Sequence, residues 1–219
     1  MSNKKIFRYD GEKMEVSWDG RLCIHVGECT RAQGELFVSG RNPWGEPDRC
    51  DADYVAEVVR RCPTGALTYR RKDGGAADET PSANVVTLAN NGPLYVEGDL
   101  RIDGGSDDES GVRRRAALCR CGDSKNKPFC DNTHEKEEFR DRGALGVTGL
   151  GQLEATGGPL EIKRAPNGPL LVTGSFVIRT AAGREGWRGT KAALCRCGAS
   201  KSKPFCDGSH KDAGFQADY

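Results

Sequence analysis

One pattern is written twice in this chain. Cys119, Cys121, Cys130 and His134 follow the spacing C-x-C-x8-C-x3-H, and Cys195, Cys197, Cys206 and His210 repeat it at an offset of 76 residues. The repeat extends well beyond the four donors. Asn91-Gly92-Pro93-Leu94 returns as Asn167-Gly168-Pro169-Leu170, and Phe139 returns as Phe215, with about half the positions between Asn91 and Phe139 identical and no insertion. Two copies are too few for a solenoid, so the unit is a duplicated domain. Three thiolates and an imidazole at fixed spacing, present twice, point to bound metal.

Composition fits small modules held together by metal. Hydrophobic residues make up 36% of the 219 positions and glycine occupies 29 of them. Little apolar surface is therefore available to offset chain entropy. Each of the three histidines, His25, His134 and His210, stands in or beside a cysteine cluster. That placement favours thiolate ligands in a reducing compartment over disulfides. The 33 basic and 32 acidic residues leave a formal charge of +1, which argues against a nucleic-acid coat or a polybasic membrane binder. No apolar run is long enough to span a bilayer, and the start Met1-Ser2-Asn3-Lys4-Lys5 is not followed by an apolar signal core. A soluble, cytoplasmic protein is expected.

In chain order, residues 1–72 read as a small α+β domain. Lys5–Tyr9 and Met14–Trp18 are expected as strands around the turn Asp10-Gly11-Glu12. Cys23 and Cys29 lie on a loop that leads into a short helix. Asp51 or Asp53 caps a helix reaching Arg61, with Val55, Val58 and Val59 on its apolar face. Leu67–Arg70 is the last strand of this domain. Residues 73–83 are polar and rich in Gly, and read as a linker. The repeats then occupy 84–142 and 143–219. Leu94–Val96 and Leu170–Val172 read as strands, with Leu100–Ile102 and Phe176–Ile178 as their antiparallel partners. The charged stretch Asp107–Arg115 reads as a solvated hairpin tip, its Arg113-Arg114-Arg115 run without function. Asp131 or Asp207 is placed to cap a short helix carrying the histidine.

Three cysteines and one histidine can hold tetrahedral zinc or an iron–sulfur cluster. Structural zinc sites usually space their first pair C-x2–4-C. A C-x-C pair, then Cys and His farther on, suits two adjacent irons, with Cys119 and Cys121 on one and Cys130 and His134 on the other. Pro128 and Pro204 stiffen the loops between the pairs.

The second copy, with Cys195, Cys197, Ser200, Pro204 and Cys206-Asp207-Gly208-Ser209-His210, resembles the CDGSH iron–sulfur (mitoNEET-like) family at every motif position. The first copy departs only where Asn132 replaces glycine, and asparagine is the residue next best suited to a left-handed backbone. The resemblance implies a redox-active 2Fe–2S cluster on three Cys and one His in each copy. It also implies that an intertwined homodimer has been fused into one chain with a pseudo-twofold. A neutral imidazole in place of thiolate raises the potential and makes the site proton-sensitive and acid-labile.

Near the N-terminus, Cys23, Cys29 and Cys62-Pro63 resemble half a bacterial ferredoxin in which Val26 has taken the second cysteine position. With Pro43-Trp44 and Cys62-Pro63-Thr64-Gly65-Ala66-Leu67, the segment looks like the divergent mono-cluster ferredoxin-like domain. Three thiolates suit a 3Fe–4S cluster, or 4Fe–4S if His25, Cys50 or an external ligand completes it. His25 is equally suited to donate to a ligand from outside the coordination sphere, and Cys50 fits no motif position.

The expected fold class is α+β, a small ferredoxin-like domain followed by a β-rich tandem CDGSH pseudo-dimer with cluster-binding loops. The expected role is electron transfer by a monomeric multi-cluster protein that meets redox partners, such as a reductase, a ferredoxin or an apo-acceptor, and neither nucleic acid nor membrane. No nucleophile–base–acid constellation, phosphate loop or Rossmann fingerprint is present, so no substrate chemistry of its own is expected. The rival readings are a cluster donor or redox sensor, and a zinc-bound interaction module.

Overall fold

In a computed structural model, which describes residues 6–105, 111–145 and 157–217, the chain is mostly β with few helices. Strands β1 (Ile6–Asp10), β2 (Met14–Asp19) and β3 (Leu67–Arg71) form a three-stranded antiparallel sheet in that order. Helix α1 (Ala52–Arg60) starts where the Asp51 carboxylate accepts the Asp53 N–H at 2.9 Å, satisfying one orphan donor of the first turn. It stops just ahead of Cys62-Pro63, because proline offers no N–H and disfavours helical backbone before it. Its Val55, Val58 and Val59 are fully buried with Met14, Val16, Leu36 and Leu67. Each such side chain contributes about 1.5–3 kcal/mol on burial.

The rest of the chain builds one seven-stranded sheet from β4 (Val85–Leu88), β5 (Leu94–Glu97), β6 (Asp99–Ile102), β7 (Arg115–Leu118), β8 (Pro159–Arg164), β9 (Leu170–Arg179) and β10 (Glu185–Leu194). Its strand partners differ from the sequence expectation. Leu100–Ile102 does not fold back on Leu94–Val96. Instead, β6 runs parallel to β8 of the other copy, with Ile102 opposite Ile162. Phe176–Ile178 is the second half of β9, and Ile178 lies parallel to Val86 of β4. These two pairings map onto one another under the 76-residue offset, so the copies exchange strands.

The reason is the link between the segments. Gly98 alone separates β5 from β6, and a hairpin needs a loop of about two residues or more. The strand must therefore run on and pair elsewhere. Gly98 and Gly174 both turn the chain at positive φ, 143° and 127°. A Cβ on Gly98 would stand 1.9 Å from Asn84 Oδ1.

The exchange yields one shared core. Val86, Leu88, Leu94, Val96 and Leu118 from the first copy pack with Leu160, Ile162, Leu170, Phe176 and Leu194 from the second. Leu22 and Ala66 of the N-terminal unit join the same core. Where that unit meets the first copy, Gly65 and Gly111 cross backbone to backbone, the Gly111 N–H donating to Gly65 O at 3.2 Å.

The stretch expected as a solvated tip is partly a packing element. Gly111 and Val112 are buried, and so is Arg115, which pairs with buried Asp78 at 3.1 Å; residues 107–110 of that stretch lie outside the described residues. Desolvating this arginine is compensated by the carboxylate, which is why a run of three arginines does not simply face water. Residues 73–83 contain no helix or strand. The histidine helix forms only in the first copy, as α2 (Thr133–Lys136), with Asn132 before it at φ 71°. Asp131 does accept the Thr133 N–H at 3.1 Å, and Asp207 the Ser209 N–H at 3.0 Å, but residues 208–214 make turns only.

Candidate metal centres

Both repeated sites are assembled the same way. Each sheet strand that precedes a site, β7 or β10, delivers the first cysteine at its end. Cys119 N–H donates to Pro128 O and Cys195 N–H to Pro204 O, both at 2.8 Å. The motif serine ties the returning loop, Ser124 Oγ donating to Phe129 O at 2.6 Å and Ser200 Oγ to Phe205 O at 2.7 Å. The motif aspartate closes it, accepting the Lys125 N–H on Asp131 at 2.8 Å and the Lys201 N–H on Asp207 at 2.7 Å. Hydrogen bonds from the Ser209 side chain and N–H, and then from the Lys201 N–H, hold the Asp207 carboxyl well below its ordinary range. At Asp131 burial pushes the carboxyl up, and hydrogen bonds from Thr133, Lys125 and Ser124 together outweigh it.

The donors come in two pairs per site. Cys119 and Cys121 Sγ are 3.8 Å apart, and Cys195 and Cys197 Sγ 3.6 Å. Cys130 Sγ lies 3.3 Å from His134 Nδ1, and Cys206 Sγ 3.4 Å from His210 Nδ1. Among the described residues no three His, Cys, Asp or Glu side chains gather around a single ion. Two pairs of donors per site can serve two irons, one per pair, or a single tetrahedral zinc. Main-chain N–H groups aim at the sulfurs, from Asp123 to Cys121, Asn132 to Cys130 and Gly208 to Cys206, each at 3.4 Å. Such donors favour thiolate. They matter because burial pushes the Cys130 thiol up to about 12 and raises Cys197. The hydrogen bond within the first pair lowers Cys119 and raises Cys121.

The two sites abut. Gly122 and Gly198, at φ 102° and 78°, bring the C-x-C loops into backbone contact, so that a Cβ on Gly198 would stand 2.3 Å from Cys121 O and one on Gly122 2.7 Å from Cys197 O. The arginine inside each C-x-C motif is buried there. Arg120 donates to Gly92 O at 2.8 Å and to Asp141 at 2.6 Å, and lies over the Phe139 ring; Arg196 donates to Gly168 O at 2.7 Å and lies over Phe215. Burial lowers the Arg120 pKa, and the charges of Asp141, Cys195 and Cys121 act against that. The Arg120 guanidinium, which feels the charge of one cysteine from each site, offsets part of their negative charge.

Exposure breaks the symmetry. Cys119, Cys121, Cys130 and His134 are all buried, whereas Cys197, Cys206 and His210 are partly exposed. Burial lowers the His134 pKa, and Gly92 faces its Nε2.

At the N-terminal site Cys23, Cys29 and Cys62 line one cavity of ≈ 390 Å³ with Ile24, His25 and Trp18. Burial raises the Cys29 thiol first, then the nearby thiols of Cys62 and Cys23. Val26 lies on the cavity wall and is 40% exposed. His25 lines the same cavity from a left-handed backbone at φ 55°, a conformation uncommon outside glycine and asparagine. Cys50 stands elsewhere, its Sγ 3.6 Å from Gln33 O.

Sequence reasoning missed the residues that connect the sites. Ile24, next to Cys23, forms a buried cluster with Ala117 and Cys130, and Tyr95 packs against it. Burial, with the charges of Cys130 and Cys62 behind it, pushes the Tyr95 phenol up to about 12. Asn126, inside the first motif, donates to Arg21 O at 2.9 Å. A signal was available in the differences between copies. Gly111, Tyr95 and Asn126 correspond to Trp187, Leu171 and Ser202.

The family described as "Iron-binding zinc finger CDGSH type" matches residues 91–135 and 167–211. That described as "Divergent 4Fe-4S mono-cluster" matches residues 9–72. Two curated relatives, each called "Uncharacterized protein YjdI", come from Escherichia coli strain K12 and Escherichia coli O157:H7. Each is 45% identical over 64 residues, which cover 29% of this chain and 84% of the relative. No solved structure gives a significant match. Both matched families are iron–sulfur binding modules, and among the described residues no helix is long and apolar enough to cross a membrane. With three thiols around one N-terminal cavity and a paired Cys3His site in each repeat, the chain belongs to the CDGSH iron-binding family and carries a divergent 4Fe-4S mono-cluster domain ahead of its two CDGSH copies.

Proposed function

We propose that this protein transfers single electrons between redox partners through three iron–sulfur sites and performs no substrate chemistry of its own. The observation that carries the reading is the packing of Ile24, neighbour of Cys23, with Cys130 of the first repeated site. A ligand of one centre is thereby joined to a ligand of the next through a single buried side chain. When bound, 2Fe–2S clusters in the repeats and a 4Fe–4S cluster at Cys23, Cys29 and Cys62 supply one-electron redox couples.

The chain's own residues do the rest. Cys119, Cys121, Cys130 and His134 hold the first cluster away from water, and Cys195, Cys197, Cys206 and His210 hold the second nearer to it. With Nδ1 against the cysteine sulfur, Nε2 is the atom of each histidine that carries the exchangeable proton. Gly122 and Gly198 keep the two repeated sites adjacent. His25 is the in-chain group offered to the fourth iron at the N-terminal site.

The working division is a ferredoxin-like domain at 1–72, a connector at 73–83, and CDGSH modules at 84–142 and 143–219. The protein is read as a cytoplasmic monomer with an internal pseudo-twofold, served by reductase or ferredoxin partners and binding neither nucleic acid nor membrane.

A second reading has its own observation. Partial exposure of Cys206 and His210 suits release of a cluster from the second site. Incubating reduced holoprotein with an apo-ferredoxin separates the two. Retained clusters that cycle reversibly support electron transfer, and rapid appearance of holo-ferredoxin supports donation.

A further inference from the structure

The N-terminal unit covers one face of the first repeat, and the pseudo-twofold places a matching face on the second repeat. On the first, Ile24 sits with Ala117, Cys130 and Tyr95, and the Asp78 carboxylate pairs with Arg115 at 3.1 Å. The corresponding residues of the second repeat are Ala193, Cys206, Leu171 and Lys191. None of these four is buried there. Leu171 is 42% exposed, one of three large apolar side chains so exposed among the described residues. It points outward from β9, with Ala193 opposite it on β10 and Lys163 on β8. Lys191 and Lys163 are exposed at its margin, Lys163 paired with Glu161 at 3.2 Å, and exposed Asp207 follows Cys206.

The two faces also differ in a way that fixes how each is used. Leu22 and Ala66 enter the core beside Val112 and Phe129 of the first repeat, where the chain has Gly111. The second repeat has Trp187 at that position, and its ring packs on Phe176 and Phe205, at 5.0 and 5.8 Å between centroids. Trp187 thus fills from within the place that the N-terminal unit fills on the first repeat. What stays open is the part next to Cys206.

We propose that the face formed by Leu171, Ala193 and Cys206, with Lys191 at its rim, is the docking port for a small acidic iron–sulfur carrier. The inference rests on the electron-transfer reading. The carrier presents an apolar side chain beside its own cluster to Leu171, as Ile24 does to the first repeat. It also presents a carboxylate to Lys191, as Asp78 does to Arg115. Lys191 meets the partner's carboxylate and sets its orientation, while the apolar centre excludes water.

The probe is a purified acidic 2Fe–2S ferredoxin titrated into the full-length holoprotein by calorimetry at low and high salt, with visible and EPR spectra of every sample. Leu171→Asp and Lys191→Glu are each expected to weaken binding by about tenfold or more while leaving the spectra unchanged. Raising salt is expected to weaken binding by the wild type more than by Lys191→Glu. Lys13→Glu, an exposed charge reversal on the N-terminal unit, is expected to leave the affinity unchanged. No measurable binding, or binding that both second-repeat variants leave intact, overturns the port. Purified protein that contains zinc and no sulfide would instead sink the electron-transfer reading beneath it, so the two failures are distinguishable.

Discussion

Replacing Gly65 by alanine should loosen the N-terminal unit from the first repeat. Gly65 sits at φ 71°, and a Cβ there would stand 2.3 Å from Arg115 O, 2.6 Å from the Gly111 carbonyl carbon and 2.8 Å from its oxygen. All three are main-chain atoms of the facing repeat, so no side-chain rotation can relieve the contact. The left-handed backbone costs an L-residue about 1–2 kcal/mol. Forcing a methyl into a close-packed site adds about 1–3 kcal/mol. Together the loss is about 2–5 kcal/mol, a large share of the about 5–15 kcal/mol that usually holds a domain. For a chain of this size each kcal/mol lowers the unfolding midpoint by about 2–4 °C.

Gly40→Ala is the matched control, because Gly40 has φ 79° but nothing within 4 Å of its Cβ position. It should lose only the backbone share. The assay is thermal unfolding of the holoprotein, together with hydrogen exchange at the Gly111 amide, which donates to Gly65 O. Gly65→Ala should lower the midpoint by several degrees more than Gly40→Ala and speed exchange at Gly111. Equal midpoints and unchanged protection at Gly111 would refute the reasoning.

Other outcomes follow from the same structure. Gly208→Asn should be nearly neutral in denaturant unfolding and iron content, because Asn132 already occupies the matching position at φ 71° and nothing lies within 4 Å of a Cβ on Gly208; Gly208→Val should lose iron. Asp78→Asn strands the buried Arg115 charge and should cost about 3–5 kcal/mol in chemical denaturation. A chelator should remove iron in two phases, the faster from the second repeat, whose Cys197, Cys206 and His210 are partly exposed; the His210→Cys variant identifies that phase in the visible spectrum. His134→Cys and His210→Cys should each keep a cluster while lowering its potential, since thiolate adds negative charge, and an unchanged potential on electrochemical titration would show that histidine is not a ligand.

How much of this could be read from sequence depended on whether the determining interaction was local. The motif spacing placed Cys119 with Cys121 and Cys130 with His134 because each pair lies on one tight loop closed by its own serine and aspartate. The strands around the Asp10–Glu12 turn and helix α1 were legible for the same reason, through a turn and the Asp51 cap. The left-handed backbone at Asn132 followed from its alignment with Gly208.

The strand exchange was not legible as pairing, although the single-residue link at Gly98 forbids a hairpin between β5 and β6. Nor was the burial of Arg115, because its partner Asp78 lies in a stretch whose composition reads as a linker. The join at Ile24, Ala117 and Cys130 unites segments far apart in sequence. Periodicity sees none of these; they emerge only when the two copies are compared for what one has and the other lacks.

The central claim is that Cys23, Cys29, Cys62 and the two Cys3His sets hold iron–sulfur clusters that carry electrons. EPR of the oxidised and reduced holoprotein, with iron and acid-labile sulfide counted on the same sample, tests it most directly. The account predicts a coloured protein whose iron and sulfide match two 2Fe–2S clusters and one 4Fe–4S cluster, with no signal when oxidised and paramagnetic signals broadened by mutual coupling when reduced. A colourless protein containing zinc and no sulfide would contradict the account as a whole, and an oxidised 3Fe–4S signal would contradict the 4Fe–4S assignment.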